Sequence, residues 1–197
     1  MTGLIKRSKL GGFMKVAGFS LLALSVSGCS SVRESLDDRP NEGPCPVAAS
    51  LFDAARKVEI KGNEVFENVG FTGEIVGVQS FCRYVGENPI TMEMEIDFAF
   101  GRGPAAEGVT HDYNYFVTVT RRGRAVIEKQ VLPLKVTFPA GADRVSVTEK
   151  IENIVIPRAN ATVSGSNFEV FVGFDLTDEE LAFNRAGKRF RVNAGQK

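Results

Sequence analysis

Residues 90–100 read Ile90-Thr91-Met92-Glu93-Met94-Glu95-Ile96-Asp97-Phe98-Ala99-Phe100, with a large apolar side chain at every even position and a polar or small one between. Successive side chains on a pleated strand point to opposite faces, so this period of two marks a β-strand with one face in a core and the other toward water. Phe168, Val170, Val172, Phe174 and Leu176 repeat the signal. Between the two runs, Tyr113 to Thr120 and Arg124 to Val131 flank Arg121-Arg122-Gly123, a hairpin turn with a glycine for positive φ. Glu74 to Tyr84 makes a strand that carries Cys82, and Leu134 to Phe138, Val145 to Ile151 and Ile154 to Ile156 add shorter pieces punctuated by Pro133, Pro139 and Pro157. Pro46 to Arg56 suits either a short helix or a first strand leading into Lys57 to Ile60. The pattern predicts an all-β fold, an antiparallel β-sandwich of immunoglobulin or fibronectin type, with a small barrel as the alternative. Thr177-Asp178-Glu179-Glu180 reads as a capping box opening one short helix near the C-terminus, through about Asn184. Without alternating helices, a doubly wound α/β domain is excluded.

The 197 residues are 43% hydrophobic and 24% charged, which suits one globular domain. Lys and Arg balance Asp and Glu at 24 each, but Lys6, Arg7, Lys9 and Lys15 lie in the first 28 positions, where there is no acid. The chain beyond them carries a net charge of −4 and no basic block, which argues against a nucleic-acid partner.

That cationic leader runs into an apolar stretch from Val16 to Gly28, too short for the roughly 20 residues a membrane-spanning helix needs. It ends Leu24-Ser25-Val26-Ser27-Gly28-Cys29, which resembles the lipobox of bacterial lipoproteins. The resemblance implies that 1–28 is a lipoprotein signal peptide cut before Cys29, and that Cys29 carries the lipid. Several acyl chains hold firmly where one is marginal, at roughly 0.8 kcal/mol per buried CH₂. By the same analogy Ser30, not being Asp, implies sorting to the outer membrane, facing the periplasm, over the inner membrane or cell surface. Residues 29–44, rich in charge, Pro and Gly, read as an acylated flexible tether. Residues 45–187 are the expected single domain and 188–197 a basic C-terminal tail.

With Cys29 assigned to lipid, Cys45 and Cys82 remain as a pair, and an oxidising envelope favours a disulfide worth up to about 4 kcal/mol. The rival reading, a metal or catalytic thiol, lacks a nearby His or second Cys at ligand spacing.

Further clusters resemble a family of uncharacterised lipoproteins of alphaproteobacterial type: Cys45-Pro46, Asp53-Ala54-Ala55-Arg56, Cys82-Arg83-Tyr84, Arg102-Gly103-Pro104-Ala105, Tyr115-Phe116-Val117, Phe138-Pro139, Val172-Gly173-Phe174 and Asn184-Arg185. This resemblance implies an envelope address and a β domain, with no known activity. Expected partners are the membrane, through the acyl chains, and another envelope protein.

Candidate chemistry is sparse. His111, beside Asp112 in a Gly- and Pro-rich connection from Gly101 to Asp112, is the one histidine, and no G-x-S-x-G elbow accompanies it. It reads as a polar residue of an exposed loop. Gly101-Arg102-Gly103-Pro104 lacks the spacing of a phosphate loop, although Arg102 could reach a ligand. Arg121, Arg122 and Arg124 crowd a hairpin tip, either as a solvated turn or facing anionic lipid or an acidic polymer. Tyr113 and Tyr115 share a strand face, as core residues or as a stacking platform for sugar. Asp178, Glu179 and Glu180 suit a helix start without a calcium ion. The expectation is therefore a non-enzymatic accessory or interaction module without metal or cofactor. The alternative is a lipoprotein that captures a small molecule or polysaccharide, for which Arg102, His111, Asp112, Arg121, Arg122 and Arg124 are the candidate binding residues.

Overall fold

The computed structural model describes residues 40–190 together with the backbone of Lys6 and Arg7. Among the described residues nine strands form two sheets: β1 (Lys6–Arg7), β2 (Val47–Ser50), β3 (Arg56–Ile60), β4 (Val69–Arg83), β5 (Ile90–Arg102), β6 (Thr110–Arg121), β7 (Val126–Thr137), β8 (Arg144–Ile156) and β9 (Phe168–Phe174). One sheet has the order β1-β8-β5-β4-β3 and the other β2-β9-β6-β7. All pairs are antiparallel except β2 with β9. The chain is thus the all-β, two-sheet sandwich that the alternation predicts. One helix, α1 (Asp178–Arg185), follows β9, with both halves of the predicted capping box at Thr177 and Glu180.

The core is built from the rows that alternate. Ile90, Met92, Met94, Ile96, Phe98 and Phe100 of β5 are each at most 3% exposed. They meet Tyr113, Tyr115, Val117 and Val119 of β6 and Phe168, Val170, Val172 and Phe174 of β9 across the interior. Tyr113 and Tyr115 are fully buried, so they pack the core and offer no sugar platform. The Tyr113 hydroxyl donates to the Thr72 carbonyl at 2.9 Å, which satisfies the polar end of a buried ring.

Three expectations need correction. The pieces 134–138, 145–151 and 154–156 belong to two long strands. β7 continues through Pro133 because it is an edge strand, where the missing N–H leaves no ladder bond unmade. β8 continues through a bulge at which Asn153 adopts φ 63°, a conformation Asn tolerates better than most residues. Pro46 to Arg56 is neither wholly helix nor wholly strand, but β2, a 3₁₀ turn at Phe52–Ala54, and then the start of β3.

A second bulge, between Ile75 and Gly77 of β4, reverses which residues face inward. Phe71, Gly73 and Ile75 point into the core before it, whereas Val78 and Cys82 pack on the core after it. Phe81 is consequently 83% exposed, and Cys82 faces Cys45.

Candidate functional site

The candidate residues divide between the two ends of the sandwich. At one end the chain enters the domain. Cys45 and Cys82 form the disulfide, with a Cα–Cα distance of 5.7 Å, tying the segment before β2 to the end of β4. Tyr84, fully buried, donates its hydroxyl to the Pro44 carbonyl at 2.9 Å and accepts from the Gly165 amide at 3.1 Å. Gly165 is required here, since a Cβ would collide with the Pro44 carbonyl oxygen. Asn41 accepts from the Tyr84 amide at 3.0 Å and donates to the Cys82 carbonyl at 3.1 Å. Residues 41–44, assigned by sequence to the tether, are therefore fastened to the domain.

Arg158 is the hub of this end. Its side chain has no exposed area, lies 4.7 Å over the Tyr84 ring, and donates to the carbonyls of Gly86, Asn88, Ala161 and Val163. Glu42 stands 3.7 Å away and supplies the countercharge. A buried guanidinium with this many acceptors holds the β4–β5 turn against the loop after β8. Two of its acceptors, Ala161 and Val163, are close in sequence, but the other two, Gly86 and Asn88, lie in the distant β4–β5 turn, which the sequence around Arg158 does not signal.

The hairpin tip Arg121-Arg122-Gly123-Arg124 belongs to the same end. The Arg122 amide donates to Asn167, and β9 aligns Phe168 with Arg121. All three arginines are exposed; Arg122 lies 3.4 Å from Glu169, and Arg121 and Arg124 have no ion pair among the described residues.

Arg102, His111 and Asp112 sit at the opposite end, so the candidate residues do not form one binding loop. β6 separates His111 from Arg121 by ten residues, about 33 Å at strand rise. His111 and Asp112 are also not in a loop, because β5 runs through Arg102 and β6 begins at Thr110. The His111 ring stacks on Phe71 at 4.3 Å and meets the edge of Tyr113 at 4.5 Å. Burial holds its pKa below the ordinary imidazole value, opposed by Glu59, whose carboxylate is 4.0 Å from Nδ1. Arg102 caps the Phe138 ring at 5.9 Å, while its Nε is buried without a hydrogen-bond partner among the described residues. Asp112 is exposed, 3.9 Å from Lys135. This end stacks an imidazole among aromatic rings.

Two clefts lie elsewhere. One, of about 330 Å³, opens on the outer face of the β3-β4-β5 layer between Thr72, Ala99 and Gly101 below and Phe190 above, with Arg144 and Arg189 at its side. Lys188 and Phe190, read from sequence as part of a tail, pack here: Lys188 pairs with Glu64, and Phe190 stacks on Phe183 at 5.8 Å. The other cleft, of about 520 Å³, lies between Phe52, Phe116, Leu176 and Leu181. Neither is lined by Arg102 or Tyr115. Asp178 and Glu179 open α1, and Glu180 binds Lys57 at 2.5 and 2.7 Å, which gives that acidic run a structural role.

Among the described residues no group of three His, Cys, Asp or Glu is placed to hold a metal ion, and no helix is long and apolar enough to cross a membrane. Cys29 lies outside the described residues. No protein family, curated protein or solved structure matches this chain.

Proposed function

We propose that the chain is a lipid-anchored lipoprotein of the cell envelope, held at the periplasmic face of the outer membrane through Cys29. In this reading it serves as a non-enzymatic interaction module that binds another envelope protein along the β7 edge. The lipobox resemblance supports the anchor, and the Cys45–Cys82 disulfide fits an oxidising compartment.

The observation that carries the interaction is the outer side of β7. It is a 12-residue strand whose one strand neighbour among the described residues is β6, and Val126, Ile127 and Val131 are 63%, 41% and 44% exposed along it. An unpaired edge offers main-chain donors and acceptors that an added strand can satisfy. Pro133 and Lys135 are the residues that protect edges from such pairing, and they blunt the second half of β7 only. Ile127 and Val131, exposed on the first half, are the side chains that a partner strand would cover.

A photoreactive side chain at Ile127 in intact cells is expected to crosslink one envelope protein, and Val131→Pro is expected to abolish that adduct by removing an edge N–H. An adduct unaffected by Val131→Pro, or none at all, overturns the edge. The anchor is checked separately by labelled palmitate, which is expected in the wild type and absent from Cys29→Ala.

The 330 Å³ cleft favours a second reading, capture of a small anion. Arg144 and Arg189 at its side have no ion pair among the described residues. Saturable binding of a phosphorylated sugar, lost in Arg144→Ala, would put this reading ahead.

A further inference from the structure

The root of the tether and the basic hairpin share one end of the sandwich. Pro44 packs against Gly165, three residues before Phe168, which pairs with Arg121. The Arg122 amide bonds to Asn167 in the same turn. Arg121 and Arg124 carry no ion pair among the described residues, and the apolar side chains exposed beside them are Val126 at 63% and Ile127 at 41%. Arginines flanking exposed aliphatic groups match an interface of anionic headgroups over acyl chains.

The length of chain before the domain selects the occupant. Ten residues lie between Cys29 and Pro40, and a coil of that length spans about 18 Å root-mean-square. The opposite end of the sandwich is a further 33 Å or so away, the rise of β6 from His111 to Arg121.

From this juxtaposition we propose that the hairpin 121–126 docks on the anionic phospholipid leaflet that holds the lipid anchor. The arginines meet phosphates, and Val126 enters the headgroup boundary. The proposal rests on the anchoring reading above and adds a fixed orientation: the sandwich stands on its tethered end, and His111 and Arg102 point away from the bilayer. Each cation held at an anionic surface strengthens contact about fivefold, and salt weakens it.

The chain has no Trp, so one introduced Trp reports a single position. Val126→Trp and Val109→Trp place probes at exposed sites on opposite ends of β6–β7. Each mature acylated protein is reconstituted into phosphatidylglycerol–phosphatidylcholine vesicles with brominated acyl chains. The expected result is emission quenched at least twofold at position 126 and unchanged at 109, with quenching lost in Arg121→Glu/Arg124→Glu or in 0.5 M salt. Protein that floats with the vesicles but shows no quenching at 126, equal quenching at both positions, or quenching indifferent to the charge reversal overturns the docking and leaves the anchor standing. Protein that fails to float overturns the anchor, and the docking with it.

Discussion

The two ends of this sandwich are held by different physics. Where the chain enters, the core rows end at Ile90, Ile156 and Phe168 and the backbone turns back repeatedly. Order there comes from a covalent bond, a buried guanidinium and a tyrosine hydroxyl that bridges two segments. At the far end, order comes from stacked rings: Phe71 against His111 and Phe138, with Arg102 over Phe138. Polar and covalent ties are directional and fix the exit path of a segment. Ring stacking seals a sheet end against water and leaves its loops freer. The difference teaches that the end which would bear the pull of a membrane anchor is the one stapled by directional bonds.

Breaking the staple should have the largest effect. Cys45→Ala/Cys82→Ala, or reduction of the bond, whose partners are 37 positions apart, is expected to cost about 3–4 kcal/mol. Calorimetry gives the total. Hydrogen exchange should localise it, with the amides of Tyr84 and Gly165 losing protection and those of His111 and Phe138 keeping theirs. Uniform loss across both ends would show that the ends are not separable.

Arg158→Met tests the guanidinium hub. It removes bonds to four carbonyls and leaves some of them buried, at a cost of about 2–3 kcal/mol by denaturant titration. A loss under 0.5 kcal/mol would mean that the disulfide alone orders this end.

The smallest effect, and the one confined to the far end, is a pH dependence. The folded-state pKa of His111 lies below its unfolded value, so the unfolded chain takes up the proton first on acidification. The contribution is complete above about pH 6.5, falls as pH drops through the unfolded value, and levels off below the folded one. The melting temperature of the wild type should therefore fall more between pH 7.5 and 5 than that of His111→Phe. Parallel curves would remove the role assigned to burial.

Much of the architecture was legible before any coordinates. The even positions of β5 and β9 are the core rows, and the capping box of α1 falls where Thr177 and Glu180 place it. These are local signals, because side-chain alternation and helix caps act within a few residues. Phe81 and Cys82 show where reading stops. Strict alternation from Phe71 through Ile75 would bury Phe81 and expose Cys82, and the bulge at Ile75–Gly77 reverses both. The candidate site was less legible still. Arg102 and Arg121 look like neighbours along a hairpin-rich chain, yet a full strand holds them apart, and Arg158 gives no local sign of its role.

Local patterning alone determined the class of fold, the rows that form the core and the helix start. It could do so because each depends on the order of residues within one element. Tertiary structure decided which cysteine faced inward, which arginine was buried and which end of the sandwich gathered the tether root with the basic hairpin. Those outcomes depend on bulges, strand order and carbonyls brought together from distant segments, none of which is a property of any short stretch of chain.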